Sequence, residues 1–398
     1  MTLLRSAAAA LAALWASALP AVAQQPAPAA PVCEQRAPNQ RPLQYRSVAP
    51  LADGRVSFRL CAPATAAVRL VSPDLESVPG GFDGKPAGLA MARDAQGFWQ
   101  VSTPSAVPAG RWRYAFQIDG IAMPDPQATQ HSELAHGLRS VFDIAGAAHD
   151  PANWQPGIPH GQVATIEYAS ALHGAVRRAH VYTPPGYEAG GSQRYPVLYL
   201  VHGYGDSDDS WTSIGLAHRI LDALIASGKA RPMIVVMPNG HTPDRAEVAS
   251  MNNTDFGDDL RQTLIPLVDG RYRTLAQARQ RAMAGLSMGG MHTLNFGLPR
   301  PDVFGAIGVF SMGAGVGAPT ALDDYRQRHA QGLAQRAEQG GLVFYAYGKS
   351  DFIYALAAPT RQLLDEFKIR HTWYETEGGH TWANWRQYLA ELAPRLFR

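Results

Sequence analysis

The sequence predicts an α/β fold: a small β-module followed by a larger domain whose mostly parallel sheet is covered by helices on both faces. Three observations predict it. Between Leu51 and Ile144, short runs alternate apolar and polar residues, with turn residues between them. Beyond His160 the texture changes to continuous apolar runs separated by helix-like segments. One of those runs then gives way to a helix through Gly285-Leu286-Ser287-Met288-Gly289.

Composition sets the outer bounds. The chain has 398 residues, 46% hydrophobic and 17% charged, with a formal net charge of +2. That apolar share supplies a core, and the length suits one large or two medium domains. A near-neutral charge without Lys/Arg runs leaves no electrostatic footprint for nucleic acid. At the start, Arg5 precedes an apolar stretch from Ala7 to Leu19, and Ala21-Val22-Ala23 supplies a small-x-small cleavage pattern. This reads as an export leader cut before Gln24, because the apolar run is shorter than the ~20 residues a spanning helix needs. No later segment is long and apolar enough to span a bilayer, so the mature chain is expected in the periplasm or outside the cell. Cys33 and Cys61 then form either one disulfide or two unpaired thiols, and neither has the company of a zinc site or a catalytic thiol.

The first elements follow in order. Gln24 to Pro31 is a Pro/Ala tether. Val56, Phe58 and Leu60 alternate with Ser57 and Arg59, and Trp112 to Asp119 repeats that period of two. Val68–Val71, Phe98–Val101 and Ser140–Ile144 add short strands, separated by turns such as Pro79-Gly80-Gly81 and Pro108-Ala109-Gly110. Phe58-Arg59-Leu60-Cys61-Ala62-Pro63, Gly97-Phe98-Trp99, Tyr114 to Gly120 and Asp125-Pro126 resemble the immunoglobulin-like module of carbohydrate-binding family 48 and its early-set relatives. The resemblance implies a β-sandwich in which Gly97 is a turn and Trp99 a core aromatic, serving packing or orientation rather than sugar binding. His149 to His160, rich in Pro and polar residues, is the linker.

In the second domain, strands are expected at Val197–Val201, Met233–Met237, Arg281–Gly285, Ala306–Phe310, Leu342–Tyr347 and Thr372–Thr376. Helices are expected around His218–Ser227, Phe256–Tyr272, Met288–Gly297 and Pro359–Lys368. The division is a leader 1–23, a tether 24–40, a β-sandwich 41–146, a linker 147–160 and an α/β domain 161–398.

The G-x-S-x-G sequence between a strand and a helix is a nucleophile elbow, the mark of the α/β-hydrolase fold. Its glycines admit a turn too tight for a Cβ and leave Ser287 at the carboxyl end of the sheet. A serine hydroxyl needs a base, and the base an orienting acid, in the order Ser, acid, His. His380 lies in a glycine-containing loop after a strand and is the expected base; His292, His329 and His371 read as packing or surface residues. Asp351 follows the Leu342–Tyr347 strand and is the expected acid, ahead of Asp323 and Asp324, which open a helix, and of Asp365 and Glu366, read as solvated mid-helix residues. The N–H of Met288 and that of Tyr204, in Val201-His202-Gly203-Tyr204-Gly205, are the expected oxyanion donors, with His202 bracing that loop. Trp211 and Trp382 are expected to line a substrate pocket, while Trp385 reads equally as core. No metal cluster or phosphate-binding loop is present in the sequence, so no metal or cofactor is expected.

Tyr182-Thr183-Pro184-Pro185-Gly186-Tyr187, Tyr195 to Gly203, Gly285 to Gly290 and Gly378-Gly379-His380-Thr381-Trp382 together resemble the esterase D-like enzymes. Among these, they look most like the feruloyl and acetylxylan esterases of carbohydrate esterase family 1. The resemblance implies Ser287, Asp351 and His380 as the triad, and a hydroxycinnamoyl ester of plant cell-wall xylan as substrate. Acetylated xylan, a siderophore of the enterochelin type, and a non-catalytic glycan-binding role are the alternatives.

Overall fold

The computed structural model describes residues 31–37, 39–80, 86–146, 150–243, 254–316 and 319–398. The expected leader and cleavage site, most of the Gln24–Pro31 stretch expected as a tether, Gly81 and His149 lie outside the described residues. In chain order the first domain contains β1 (Val48–Pro50), β2 (Val56–Leu60), β3 (Val68–Val71), β4 (Leu89–Ala90), β5 (Ala92–Arg93), β6 (Trp99–Ser102), β7 (Gly110–Ile118), β8 (Ile121–Met123), β9 (His131–Glu133) and β10 (Leu138–Ile144). They form two antiparallel sheets, one ordered β1-β2-β6-β5 and the other β4-β3-β7-β10-β9 with β8 on β7. The sheets share one core: Phe58 of β2 meets Tyr114 of β7 at 5.1 Å and Phe142 of β10 at 5.4 Å between ring centroids. Gly97 turns with a φ of +83° and Trp99 is buried, as expected. A disulfide joins Cys33 to Cys61, tying the start of the described chain to the residue after β2.

β7 departs from the expected half-buried strand. Trp112, Tyr114 and Phe116 face the core, yet Arg111 and Arg113 on the opposite face are buried too. The reason is the second domain. Arg111 donates to the Ser213 carbonyl as well as to both oxygens of Asp143, and Arg113 reaches Asp206 across the interface.

The second domain adds β11 (Gln162–Ser170), β12 (Ala175–Thr183), β13 (Val197–Val201), β14 (Ile234–Pro238), β15 (Arg281–Leu286), β16 (Ala306–Phe310), β17 (Leu342–Gly348) and β18 (Thr372–Thr376). Its helices are α1 (Ser210–Ser213), α2 (Ala217–Ala226), α3 (Asp255–Asp259), α4 (Ile265–Arg271), α5 (Met288–His292), α6 (Ala321–Gln339), α7 (Ala357–Glu366) and α8 (Trp382–Leu392). Among the described residues the strands form one eight-stranded sheet, β11-β12-β14-β13-β15-β16-β17-β18. It is parallel from β14 to β18, with β11 and β12 added antiparallel at one edge. Sequence reading missed that edge pair, because β11 shows four exposed residues before any buried one.

Along β13, Val197, Tyr199 and Val201 pack with α3 to α7, while Leu198 and Leu200 pack with α1, α2 and α8. Burial on both faces explains why the strand reads as unbroken apolar sequence. Each such Val or Leu contributes about 1.5–3 kcal/mol of transfer free energy. The segment expected as a linker is fastened down: Trp154 stacks on His160 at 3.8 Å, and His160 Nδ1 lies 3.0 Å from Asp222 of α2.

Candidate active site

Ser287 sits between β15 and α5 with φ 50° and ψ −116°, a backbone conformation that L-residues rarely adopt. Such a residue costs about 1–3 kcal/mol and persists only where its surroundings enforce it. The Ser287 N–H donates to the Phe310 carbonyl at 3.0 Å, and its own carbonyl accepts from Met291 at 2.9 Å. The glycines around it are sterically required. A Cβ on Gly285 would lie 2.4 Å from the Gly289 backbone, and one on Gly289 would lie 2.3 Å from the Val201 carbonyl oxygen. Gly289→Ala is therefore expected to destabilise the chain by roughly 3 kcal/mol or more, since backbone cannot yield as a side chain can. A thermal melt checks it; an unchanged midpoint would contradict the packing described.

The expected acid and the expected base meet. Asp351 follows β17 with its carboxylate buried, and its two oxygens lie 3.1 and 3.0 Å from His380 Nδ1. Because the carboxylate can only accept, Nδ1 carries the proton and Nε2 is left to act as a base. Asp351 is itself fixed by the Ile353 N–H, which donates to Oδ1 at 3.1 Å. The His380 ring stands edge-on to Trp385 at 5.0 Å, whose Nε1 donates to Ser311 Oγ at 3.0 Å. Ser311 follows β16 as Ser287 follows β15, so these groups gather at the carboxyl ends of adjoining strands.

The loop after β13 packs beside the elbow. A Cβ on Gly203 would lie 3.5 Å from that of Ser287, and the Asp206 N–H donates to the Gly203 carbonyl at 3.1 Å, closing a turn around Tyr204. Met288 opens α5, where the first N–H groups have no intrahelical acceptor. His202 braces the loop from within: the Gly240 N–H donates to its Nε2 at 2.9 Å, and Nδ1 donates to the Gly203 carbonyl at 2.8 Å.

The other predicted positions sort out plainly. His292 is buried, its ring stacked on Phe256 at 4.1 Å, and His329 lies against Tyr325 on α6. His371 precedes β18, and Asp323 and Asp324 occupy the first turn of α6. Asp365 and Glu366 are exposed but end α7 rather than lying mid-helix. Trp211 and Trp382 require a correction. Each is only 1% exposed, and they pack edge-on at 5.1 Å within the core between the sheet and α1, α2 and α8. Their burial takes both out of reach of a bound ligand. The exposed aromatic beside His380 is instead Phe352, 79% exposed with its ring 4.6 Å from that of His380.

Sequence reading also missed the hollow between the domains that borders His380. A cavity of about 750 Å³ is walled on one side by Leu75, Glu76, Val78 and Arg139 of the first domain, and on the other by Phe352 and His380. Its walls come from chain segments far apart in sequence, which leaves no local signal. Among the described residues no cluster of His, Cys, Asp or Glu is arranged to hold a metal ion, and no helix is long and apolar enough to cross a membrane.

Burial lowers the pKa of His202 from 6.5 to about 4 and that of His292 to about 3. Both imidazoles are neutral in the folded chain and recover ordinary basicity on unfolding. The unfolded chain therefore binds more protons below pH 6.5, and stability falls as the solution is acidified toward pH 4. The expected loss at pH 5 is on the order of 1–2 kcal/mol for each ring. Denaturant titrations at neutral pH and at pH 5 measure it; equal stabilities would contradict burial in the neutral form.

The Esterase family model, described as "Putative esterase", matches residues 170–396, more than half of the chain. The chain belongs to the Esterase family. An endo-1,4-beta-xylanase/feruloyl esterase of Xylanibacter ruminicola is 36% identical over 255 residues, 62% of this esterase-family chain and 35% of the relative. The chain thus spans about a third of the length of that curated relative. The CE1 ferulic acid esterase of Anaeromyces mucronatus superposes with a TM-score of 0.54 at 22% identity, covering 62% of this chain and 94% of that one. The enterobactin esterase of Shigella flexneri gives 0.59 at 20% identity, covering 85% of this chain and 92% of that one. At these identities the likeness establishes a shared α/β-hydrolase-type fold.

Proposed function

We propose that this protein is an exported serine esterase that hydrolyses hydroxycinnamoyl esters, such as ferulate, carried on plant cell-wall xylan. The observation that carries the reading is the buried Asp351 carboxylate on His380 Nδ1, set at the same strand ends as a Ser287 forced into an elbow. In this reading His380 Nε2 takes the proton as Ser287 Oγ attacks the ester carbonyl carbon. The Tyr204 and Met288 N–H groups receive the oxyanion, each worth about 3–4 kcal/mol. The proton then passes to the leaving alcohol oxygen, and water cleaves the acyl-enzyme by the reverse relay.

The feruloyl assignment is supported by the name of the Xylanibacter relative and by the exposed Phe352 ring, 4.6 Å from that of His380, which offers an aromatic face to an aryl acid. Export is supported by the leader-like first 23 residues. The first domain serves as an immunoglobulin-like module that packs and orients the site. A siderophore-ester substrate is the second reading, favoured by the 85% coverage in the enterobactin esterase superposition. Turnover on methyl ferulate, acetylated xylan and enterobactin tests the assignment. Methyl ferulate is expected to have the highest kcat/KM; preference for enterobactin would transfer the assignment to the second reading.

A further inference from the structure

We infer that the first domain positions the oxyanion loop of the second through Arg113, which makes Arg113 a positioning residue for catalysis. This rests on the reading of the Tyr204 N–H as an oxyanion donor. Arg113 lies on β7 and is 3% exposed. Asp74 holds its guanidinium from one side, Nε to Oδ2 at 2.9 Å and Nη2 to Oδ1 at 2.8 Å, and also accepts from the Arg113 N–H at 3.0 Å. The remaining arm, Nη1, crosses the interface to Asp206 Oδ1 at 2.6 Å.

Asp206 closes the turn that presents the Tyr204 N–H. Its own N–H donates to the Gly203 carbonyl at 3.1 Å, and its Oδ2 lies 3.4 Å from where a Gly203 Cβ would stand. That same point is 3.5 Å from the Ser287 Cβ, so the Asp206 carboxylate lies close to the elbow that carries the nucleophile. A second bond from the first domain supports the loop: the Ala135 N–H donates to the Gly205 carbonyl at 3.2 Å, and Leu134 bridges to Asp206. The planar Arg fork, held doubly at one end, leaves Asp206 one place to sit. An ion pair that served only to glue the domains would have no need to end on the residue closing this turn.

The test uses the full chain, p-nitrophenyl acetate as an activated ester with a chromogenic leaving group, and active-site titration to count folded enzyme. Arg113→Met is expected to lower kcat roughly 10–100-fold with KM within about twofold, a part of what a lost oxyanion donor costs. Affinity for an arylboronic acid, which forms a tetrahedral adduct on serine, should fall by a similar factor while ferulate binding holds. Arg113→Lys should restore part of the loss. If Arg113→Met does not fold, Asp206→Asn, which keeps the turn and leaves Arg113 with Asp74, should lower kcat in the same way. Wild-type kcat per titrated site in whichever variant folds, with only a lower melting temperature, overturns the positioning role. Ser287→Ala run alongside separates the two ideas: activity surviving there would sink the underlying serine mechanism instead.

Discussion

Ser287→Ala is expected to reduce kcat for ester hydrolysis roughly 10⁴–10⁶-fold, the range seen when a serine nucleophile is deleted from such a machine. At about 1.4 kcal/mol per tenfold, that is on the order of 5–8 kcal/mol of transition-state stabilisation. The substitution removes one oxygen atom and leaves the elbow intact, because its glycines and the Ser287 backbone bonds to Phe310 and Met291 do not involve the side chain. Folding should therefore be undisturbed, and removing a hydroxyl from a residue with positive φ neither relieves nor adds backbone strain. Steady-state kinetics with methyl ferulate, paired with a thermal melt, make the measurement. Turnover within tenfold of the parent would mean that another group attacks the ester.

Asp351→Asn should cost about 10³–10⁴-fold in kcat while changing almost no volume. The carboxylate accepts the proton of His380 Nδ1 with both oxygens at 3.0 to 3.1 Å. An amide in its place can present an N–H to that nitrogen. The imidazole then takes the other tautomer, with its proton on Nε2, where it can no longer accept one from serine. The loss should lie in kcat rather than KM, since Asp351 is buried behind His380 and touches no substrate in this reading. A variant with near-normal kcat would show that the pair is structural. Stability should also fall, because the Ile353 N–H is left to the weaker amide acceptor.

What the sequence disclosed follows from where the physics is local. The parallel strands were legible because burial on both faces writes an unbroken apolar run, as in Val197 to Val201. The elbow was legible because its constraint is covalently local: Gly285, Ser287 and Gly289 must share one tight turn. Asp351 and His380 were legible as residues just past strand ends. The edge strand β11 and the first half of its neighbour β12 were not, since residues that stay exposed write no apolar run. Trp211 and Trp382 were misread because nearness in sequence to a candidate site loop does not decide which way a ring points; here both turn inward under α1 and α8. Arg113 falls on the polar half of the alternation read from Trp112 to Asp119, and only the second domain's position makes it, with Arg111, a buried interface residue. Nothing in β7 alone specifies what covers its polar face.

The most direct measurement is the site of covalent capture by a fluorophosphonate, which reports an activated serine whatever the natural ester. Peptide mapping by mass spectrometry of the labelled full-length chain should find one adduct, on Ser287, and His380→Ala should slow its formation by orders of magnitude. No adduct on Ser287, or an equal labelling rate without the His380 imidazole, would contradict the account.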